Sequence, residues 1–264
     1  FVTNKTISTL IKKITGFATK RSIPVLHKTT LRRWINRNLD SLNPVLPVKS
    51  IYLFTDEFTN LNDTLSGIAA VRLLTRLGYR VSAPVNGESA RTYISKGLVR
   101  KAQKIIRKNI LIYSGIISGE TPLIGIEPSA ILGFRDEYPE LAGEDMREAA
   151  LKLSTNCMTI DEFIAGEFRN GNISRDQFTD DRCRVLLHAH CQQKAISSPA
   201  FTIEMLSIPS GYTVKEIPSG CCGMAGSFGY EKEHFELSNK IGEMILFPEV
   251  RAAEAEVIIA APGT

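Results

Sequence analysis

No run of about 18 apolar residues occurs in this sequence, which excludes a membrane-spanning helix on length, and the N-terminus lacks the apolar core of a cleavable signal peptide. Cysteine is scarce: five in 264 residues, an odd count that includes the adjacent pair Cys221 and Cys222. A bridge between neighbours needs a strained ring, so the five make a poor disulfide framework and reduced, cytosol-type thiols are expected. A Gly-rich dinucleotide turn is missing, and so is the closely spaced four-cysteine run of a ferredoxin; neither a flavin-binding half nor a two-cluster relay lies within these residues. Acids are nearly absent from residues 1–49, which carry ten Lys and Arg against Asp40 alone.

What is present is ordinary globular composition, 43% hydrophobic and 23% charged, in a chain long enough for two lobes. The formal charge of +4 belongs to the basic leader, because the remainder carries 22 bases and 27 acids. Lys12, Lys13, Lys20, Arg21, Lys28, Arg32, Arg33 and Arg37 suit an anionic lipid surface, an acidic partner domain or simply a solvated helix face. No compact nucleic-acid motif accompanies them, so nucleic acid is not an expected partner. The start at Phe1 and the stop at Ala261-Pro262-Gly263-Thr264, just after an apolar strand, lead us to expect a piece of a longer protein.

Apolar periodicity places amphipathic helices over 6–17, with Ile7, Leu10, Ile11, Ile14 and Phe17 on one face, and over 30–39. Strands follow at 50–54, 79–81 and 123–126, with helices over 67–77 and 90–108 between them. Residues 144–178 read as mainly helical. The cycle then restarts, with strands at 184–187, 212–217 and 256–260 and helices between. The expected fold class is α/β: two pseudo-symmetric lobes, each on a parallel sheet, behind an N-terminal helical leader. The divisions are 1–49, 50–150, a bridge at 151–181, and 182–264. Short echoes support the repeat, since Leu77-Gly78-Tyr79 matches Ser210-Gly211-Tyr212 and the loop at Asn86-Gly87 falls where Cys221-Cys222-Gly223 falls.

In such sheets Cys191 and the pair Cys221 and Cys222 follow different strands, so all three reach the carboxyl edge, where open α/β sheets bind ligands. Gly220, Gly223, Gly226 and Gly229 keep the turn around the pair free of bulk. Soft thiolates suit an iron–sulfur centre or zinc; otherwise these cysteines, with Cys183, are small space-filling hydrophobes. His188 and His190, two apart on one strand face, either donate to a cluster sulfide or satisfy a carbonyl, and with Gly223 they are the candidate surrounding residues. Cys157, in a polar context that reads as helical, is taken as structural.

The segment Pro218-Ser219-Gly220-Cys221-Cys222-Gly223-Met224-Ala225-Gly226-Ser227-Phe228-Gly229-Tyr230-Glu231 closely resembles the cysteine-rich, or CCG, domain that ends FAD-linked oxidases of the D-lactate and glycolate dehydrogenase type. The domain also occurs in heterodisulfide reductases and in the iron–sulfur subunit of anaerobic glycerol-3-phosphate dehydrogenase. His190-Cys191-Gln192-Gln193-Lys194-Ala195, Glu127-Pro128-Ser129 and Phe134-Arg135-Asp136-Glu137-Tyr138-Pro139 extend the likeness, which covers roughly 50–264.

The resemblance implies an electron-transfer module in which Cys191, Cys221 and Cys222 ligate a 4Fe-4S cluster, the last ligand lying beyond Thr264. FAD would sit in an upstream domain or partner, and the partners would be flavin and ferredoxin-like domains. In the first repeat Asn86 and Ala130 replace cysteines, and Asp56 and Glu57 are poor iron–sulfur ligands, so no metal is expected there. Two other readings stand beside this one. One is a degenerate docking module that uses the basic leader, and the other is a zinc site completed by His188 or His190. The location implied is cytoplasmic, with the inner face of the cytoplasmic membrane as a peripheral docking site.

Overall fold

A computed structural model describes residues 5–263, so Phe1 and Thr264 lie outside the described residues. The leader supplies α1 (Lys5–Thr15) and α2 (Leu31–Leu42). Thr30 caps α2 by accepting from the Arg33 N–H, and Leu31 and Ile35 bury its apolar face. The chain then enters β1 (Lys49–Phe54), α3 (Glu57–Leu61), α4 (Thr64–Arg76), β2 (Tyr79–Ser82), α5 (Arg91–Ser95), α6 (Val99–Tyr113) and β3 (Leu123–Gly125). It continues through α7 (Pro128–Ile131), α8 (Glu137–Leu141), α9 (Glu144–Ser154), β4 (Cys157–Thr159) and α10 (Ile160–Arg169). All strand pairings in the first sheet are parallel, in the order β2-β1-β3-β4. A parallel pair needs a crossover rather than a hairpin, which is why helices alternate with these short strands.

A second lobe repeats that plan with β5 (Cys183–Leu187), α11 (Cys191–Ile196), α12 (Pro199–Leu206), β6 (Tyr212–Glu216), α13 (Phe235–Met244), α14 (Leu246–Ala252) and β7 (Ile258–Ala260). Its parallel sheet has the order β6-β5-β7, matching β2-β1-β3 of the first. The fold is thus α/β, an N-terminal helical region followed by two parallel sheets in two lobes. The echoing motifs fall at corresponding places: Gly78 and Gly211 precede β2 and β6, and Asn86 and Cys221 lie in the loops after them. The two glycines answer different demands. Gly78 has φ +91°, whereas a Cβ at Gly211 would lie 2.2 Å from the Asp181 carbonyl oxygen.

Several local readings change. The helix expected over 90–108 is broken at Gly97, whose φ is +69°, into α5 and α6. The span 144–178 is not continuously helical. Met158 and its neighbours form β4, so Cys157 is a buried strand residue, paired in register with Leu123. A capping box between Thr159 and Glu162 then starts α10. In α1 Ile7, Leu10 and Ile14 are exposed while Ser8 and Lys12 are buried, and Lys12 donates to the Thr19 carbonyl at 3.2 Å.

The leader grips both lobes. Arg32 donates to Thr55 in the first lobe, at 2.9 Å, while Arg21 donates to the Gly229 carbonyl and to Ser238 in the second, each at 3.0 Å. Between the lobes α10 packs on α12, and the buried side chains of Asp161, Gln193 and Thr202 form a shared network.

Candidate functional site

The loop after β6 carries the paired cysteines on a backbone that only glycine permits. Gly223 has φ +85°, and a Cβ there would stand 2.2 Å from the Ser238 carbonyl oxygen. This tight approach locks the loop against α13, and the Gly223 N–H donates to the Cys221 sulfur at 3.2 Å. Cys191 is the first residue of α11, exposed, just past the end of β5. Burial pushes the Cys222 thiol up from its ordinary range, and Cys221 and Cys191 both add to the rise through space. Cys222 therefore lies near enough to Cys221 and Cys191 for both to act on it, at the carboxyl edge of the second sheet.

The spacing bears on which cation. A single zinc draws its ligands to about 2.3 Å from sulfur and 2.0–2.1 Å from nitrogen, so they crowd together. Among the described residues, the one group of three ligating side chains whose ligand atoms all lie within 4.8 Å is Glu231, Glu233 and His234. The cysteines with His188 or His190 make no such group. The Glu231 group is already engaged, because Glu231 pairs with Lys96 and His234 and accepts from Ser227 at 2.8 Å. Cys183 sits at the opposite, amino end of β5 and Cys157 in the first sheet, so neither joins the site.

The two histidines diverge rather than share a face. His188 meets the Ser219 hydroxyl through Nδ1 at 2.7 Å, tying the end of β5 to the cysteine loop. Lys194 reinforces the tie by donating to the Ser219 carbonyl at 2.7 Å. His190 caps α11 by accepting from the Gln192 N–H, and its Nε2 lies 3.7 Å from Glu127 of the other lobe. Burial lowers the pKa of both.

At the same edge of the first lobe, protein groups stand where the second lobe has thiols. Arg32 reaches in from α2 and donates to the Thr55 hydroxyl at 2.9 Å, the Thr55 carbonyl at 3.1 Å and the Asn86 carbonyl at 3.0 Å. Thr55 in turn donates to the Asn86 side-chain oxygen at 2.9 Å. A guanidinium thus bridges the loops after β1 and β2, the counterparts of the strands that precede Cys191 and Cys221. Beside it opens a cavity of about 450 Å³ lined by Arg32, Glu57, Asn60, Asn86, Tyr93 and Lys108, among others. Sequence reading missed this role of Arg32. The substitution of cysteine by Asn86 was its one indirect signal.

Asp56 caps α3 here, fully buried, accepting from the N–H groups of Phe58 and Thr59 and from the Thr59 hydroxyl. Burial outweighs these bonds and pushes its carboxyl up to about 7, with Glu127 and Glu57 adding to the rise. Folding therefore favours the protonated acid. That contribution is complete below about pH 4 and is lost as pH rises through 7. Asp56→Asn keeps a good cap. We expect it to match the parent in unfolding free energy near pH 4 and to exceed it at pH 8 by up to about 4 kcal/mol, read from urea titrations. Equal midpoints at pH 8 would put the carboxyl back in its ordinary range.

No family model and no solved structure matches the chain. Curated proteins do. Over 240 residues it is 22% identical to the D-2-hydroxyglutarate dehydrogenase of Pantoea ananatis, covering 87% of this chain and 22% of that protein. Over 209 residues it is 25% identical to the Escherichia coli protein of the same name, covering 78% and 19%. The chain resembles the D-2-hydroxyglutarate dehydrogenases. It is also 23% identical over 246 residues to a subunit of the anaerobic glycerol-3-phosphate dehydrogenase of Escherichia coli, covering 91% of this chain and 59% of that subunit. The matched stretch is therefore about a fifth of the 2-hydroxyglutarate dehydrogenases and under two thirds of the subunit. The likeness is to a 2-hydroxy-acid dehydrogenase family and to a dehydrogenase subunit; it is coarser than a specific CCG domain. Among the described residues, no helix is long and apolar enough to cross a membrane.

Proposed function

We propose that this chain is the iron–sulfur electron-transfer module of a flavin-linked 2-hydroxy-acid dehydrogenase of the D-lactate or glycolate type. Cys191, Cys221 and Cys222 would be three thiolate ligands of a 4Fe-4S cluster, with a fourth from beyond Thr264. What supports the reading is that Cys191 follows β5 and the pair Cys221 and Cys222 follows its parallel neighbour β6, the pair on a turn held by Gly223 against α13. The bound group would supply the one-electron chemistry. The chain's own part is to hold the sulfurs, aim the Gly223 N–H at Cys221, and bury Cys222 so that solvent is kept from one side.

Flavin and ferredoxin-like domains or subunits are the proposed partners, and FAD belongs to them rather than to this chain. Without such partners the chain is a non-catalytic accessory unit. We place it in the cytoplasm, where thiols stay reduced, or against the inner face of the cytoplasmic membrane. The units 50–150 and 182–264, joined through 151–181, are the proposed functional division.

A second reading has its own support. The outward apolar face of α1, the basic leader and the Arg32-filled first lobe also suit a docking module without redox chemistry. Anaerobic reconstitution separates the two. Carried past its last residue, the protein should hold about four irons and four sulfides with the paramagnetic resonance of a reduced cluster. Cys222→Ser should lose most of the iron. A parent that takes up no cluster, or a serine variant that holds it equally well, makes docking the better account.

A further inference from the structure

The two lobes differ at one sheet edge. Register places Leu123 and Ile124 of β3 opposite Tyr52 and Leu53, and places Ile258 and Ile259 of β7 opposite Val185 and Leu186. With Tyr79 aligned on Tyr212, Tyr52 answers to Leu186, so Leu123 and Ile259 are corresponding positions in the repeat. Leu123 and Ile124 are 0% exposed, whereas Ile258 is 51% and Ile259 39% exposed. Successive strand residues point to opposite faces, so both faces of β7 are open as well as its edge.

In the first lobe β4 closes the equivalent edge, pairing Cys157 with Leu123, Met158 with Ile124 and Thr159 with Gly125. It comes from the same chain, delivered through α8 and α9 and followed by α10. No described strand lies beyond β7. Solvent-facing edges are normally protected by a charge, a proline or a bulge. The run Val257-Ile258-Ile259-Ala260-Ala261 carries no charge and no proline.

We propose that the outer edge of β7 receives a fourth parallel strand from a part of the same polypeptide outside these 264 residues. The segment that fits is a short β-branched strand reached through an amphipathic helix, since a parallel neighbour requires a crossover. The internal precedent of β4 favours the same chain as the source. So do the relatives, in which the matched stretch is only 19% or 22% of a much longer polypeptide. A second copy related by a two-fold axis would pair edge to edge antiparallel, unlike every pairing within either sheet. The inference rests on the repeat alone and not on the cluster reading.

Hydrogen exchange on metal-free protein tests it, so a failure of cluster binding leaves the result intact. In the protein carried past residue 264, amides of 258–260 should exchange about 100-fold more slowly than in the 264-residue chain. Ile259→Lys should remove that protection in the longer protein and leave the shorter chain's circular dichroism and midpoint unchanged. Equal exchange in the two unmutated forms overturns the proposal, whatever the variant does. So does protection in the shorter chain that rises with protein concentration, which would assign the edge to a second copy.

Discussion

Replacing Gly223 by alanine is expected to open the cysteine loop while the rest of the second lobe stays folded. Two costs act together. The residue sits at φ +85°, where a side chain is strained, and the added methyl would stand 2.2 Å from a backbone oxygen that cannot swing aside. Strain of this kind costs about 1–3 kcal/mol, and the collision with buried backbone adds to it. The loop's contacts with α13 are therefore expected to break. Cys221 loses the N–H donor at 3.2 Å and Cys222 loses its burial. Reaction with a thiol reagent should then speed up about tenfold or more at Cys221 and Cys222. Gly220→Ala is the control, because a Cβ there meets nothing within 4 Å. If the two variants behave alike in thiol reactivity and urea midpoint, the Gly223 turn is not what shapes the site.

The residues most legible in the sequence are those whose role follows from strand ends. Cys191, Cys221 and Cys222 could be brought to one edge because β5 and β6 are β-prone segments of ordinary strand length, and parallel pairing sends both carboxyl ends the same way. The repeat was legible for the same reason, through Gly78 and Gly211 at the strand starts. What escaped was decided by tertiary contacts. A strand of three residues such as β4 has no period to detect, and its place was set by the neighbouring β3. Arg32 looked like any charge on a basic helix, and nothing local ties it to Thr55 and Asn86, which lie 23 and 54 residues away. His188 and His190 lie beyond the end of β5, where strand alternation no longer governs direction.

Asp161→Ala is expected to uncouple the two lobes. Asp161 lies on α10 of the first lobe and accepts from Gln193 at 2.5 Å and from Thr202, while Gln193 also donates to Thr202 at 2.8 Å. All three side chains are buried. Removing the carboxylate takes away the acceptor that the Gln193 amide and the Thr202 hydroxyl share and leaves only the bond between those two, a loss of about 1–3 kcal/mol. Asp161→Asn, which keeps one acceptor, should lose less. The single tryptophan, Trp34, lies half-buried on α2 against the core beside the first sheet, whereas far-ultraviolet circular dichroism reports the whole chain. In the parent the two signals should share one urea transition, and in Asp161→Ala they should separate. Gln193 sits on α11, whose first residue is Cys191, so the same loss loosens the platform that presents that thiol. Coincident transitions in the alanine variant, with a midpoint equal to the parent's, would mean that the lobes are held by the leader instead, through Arg21 and Arg32.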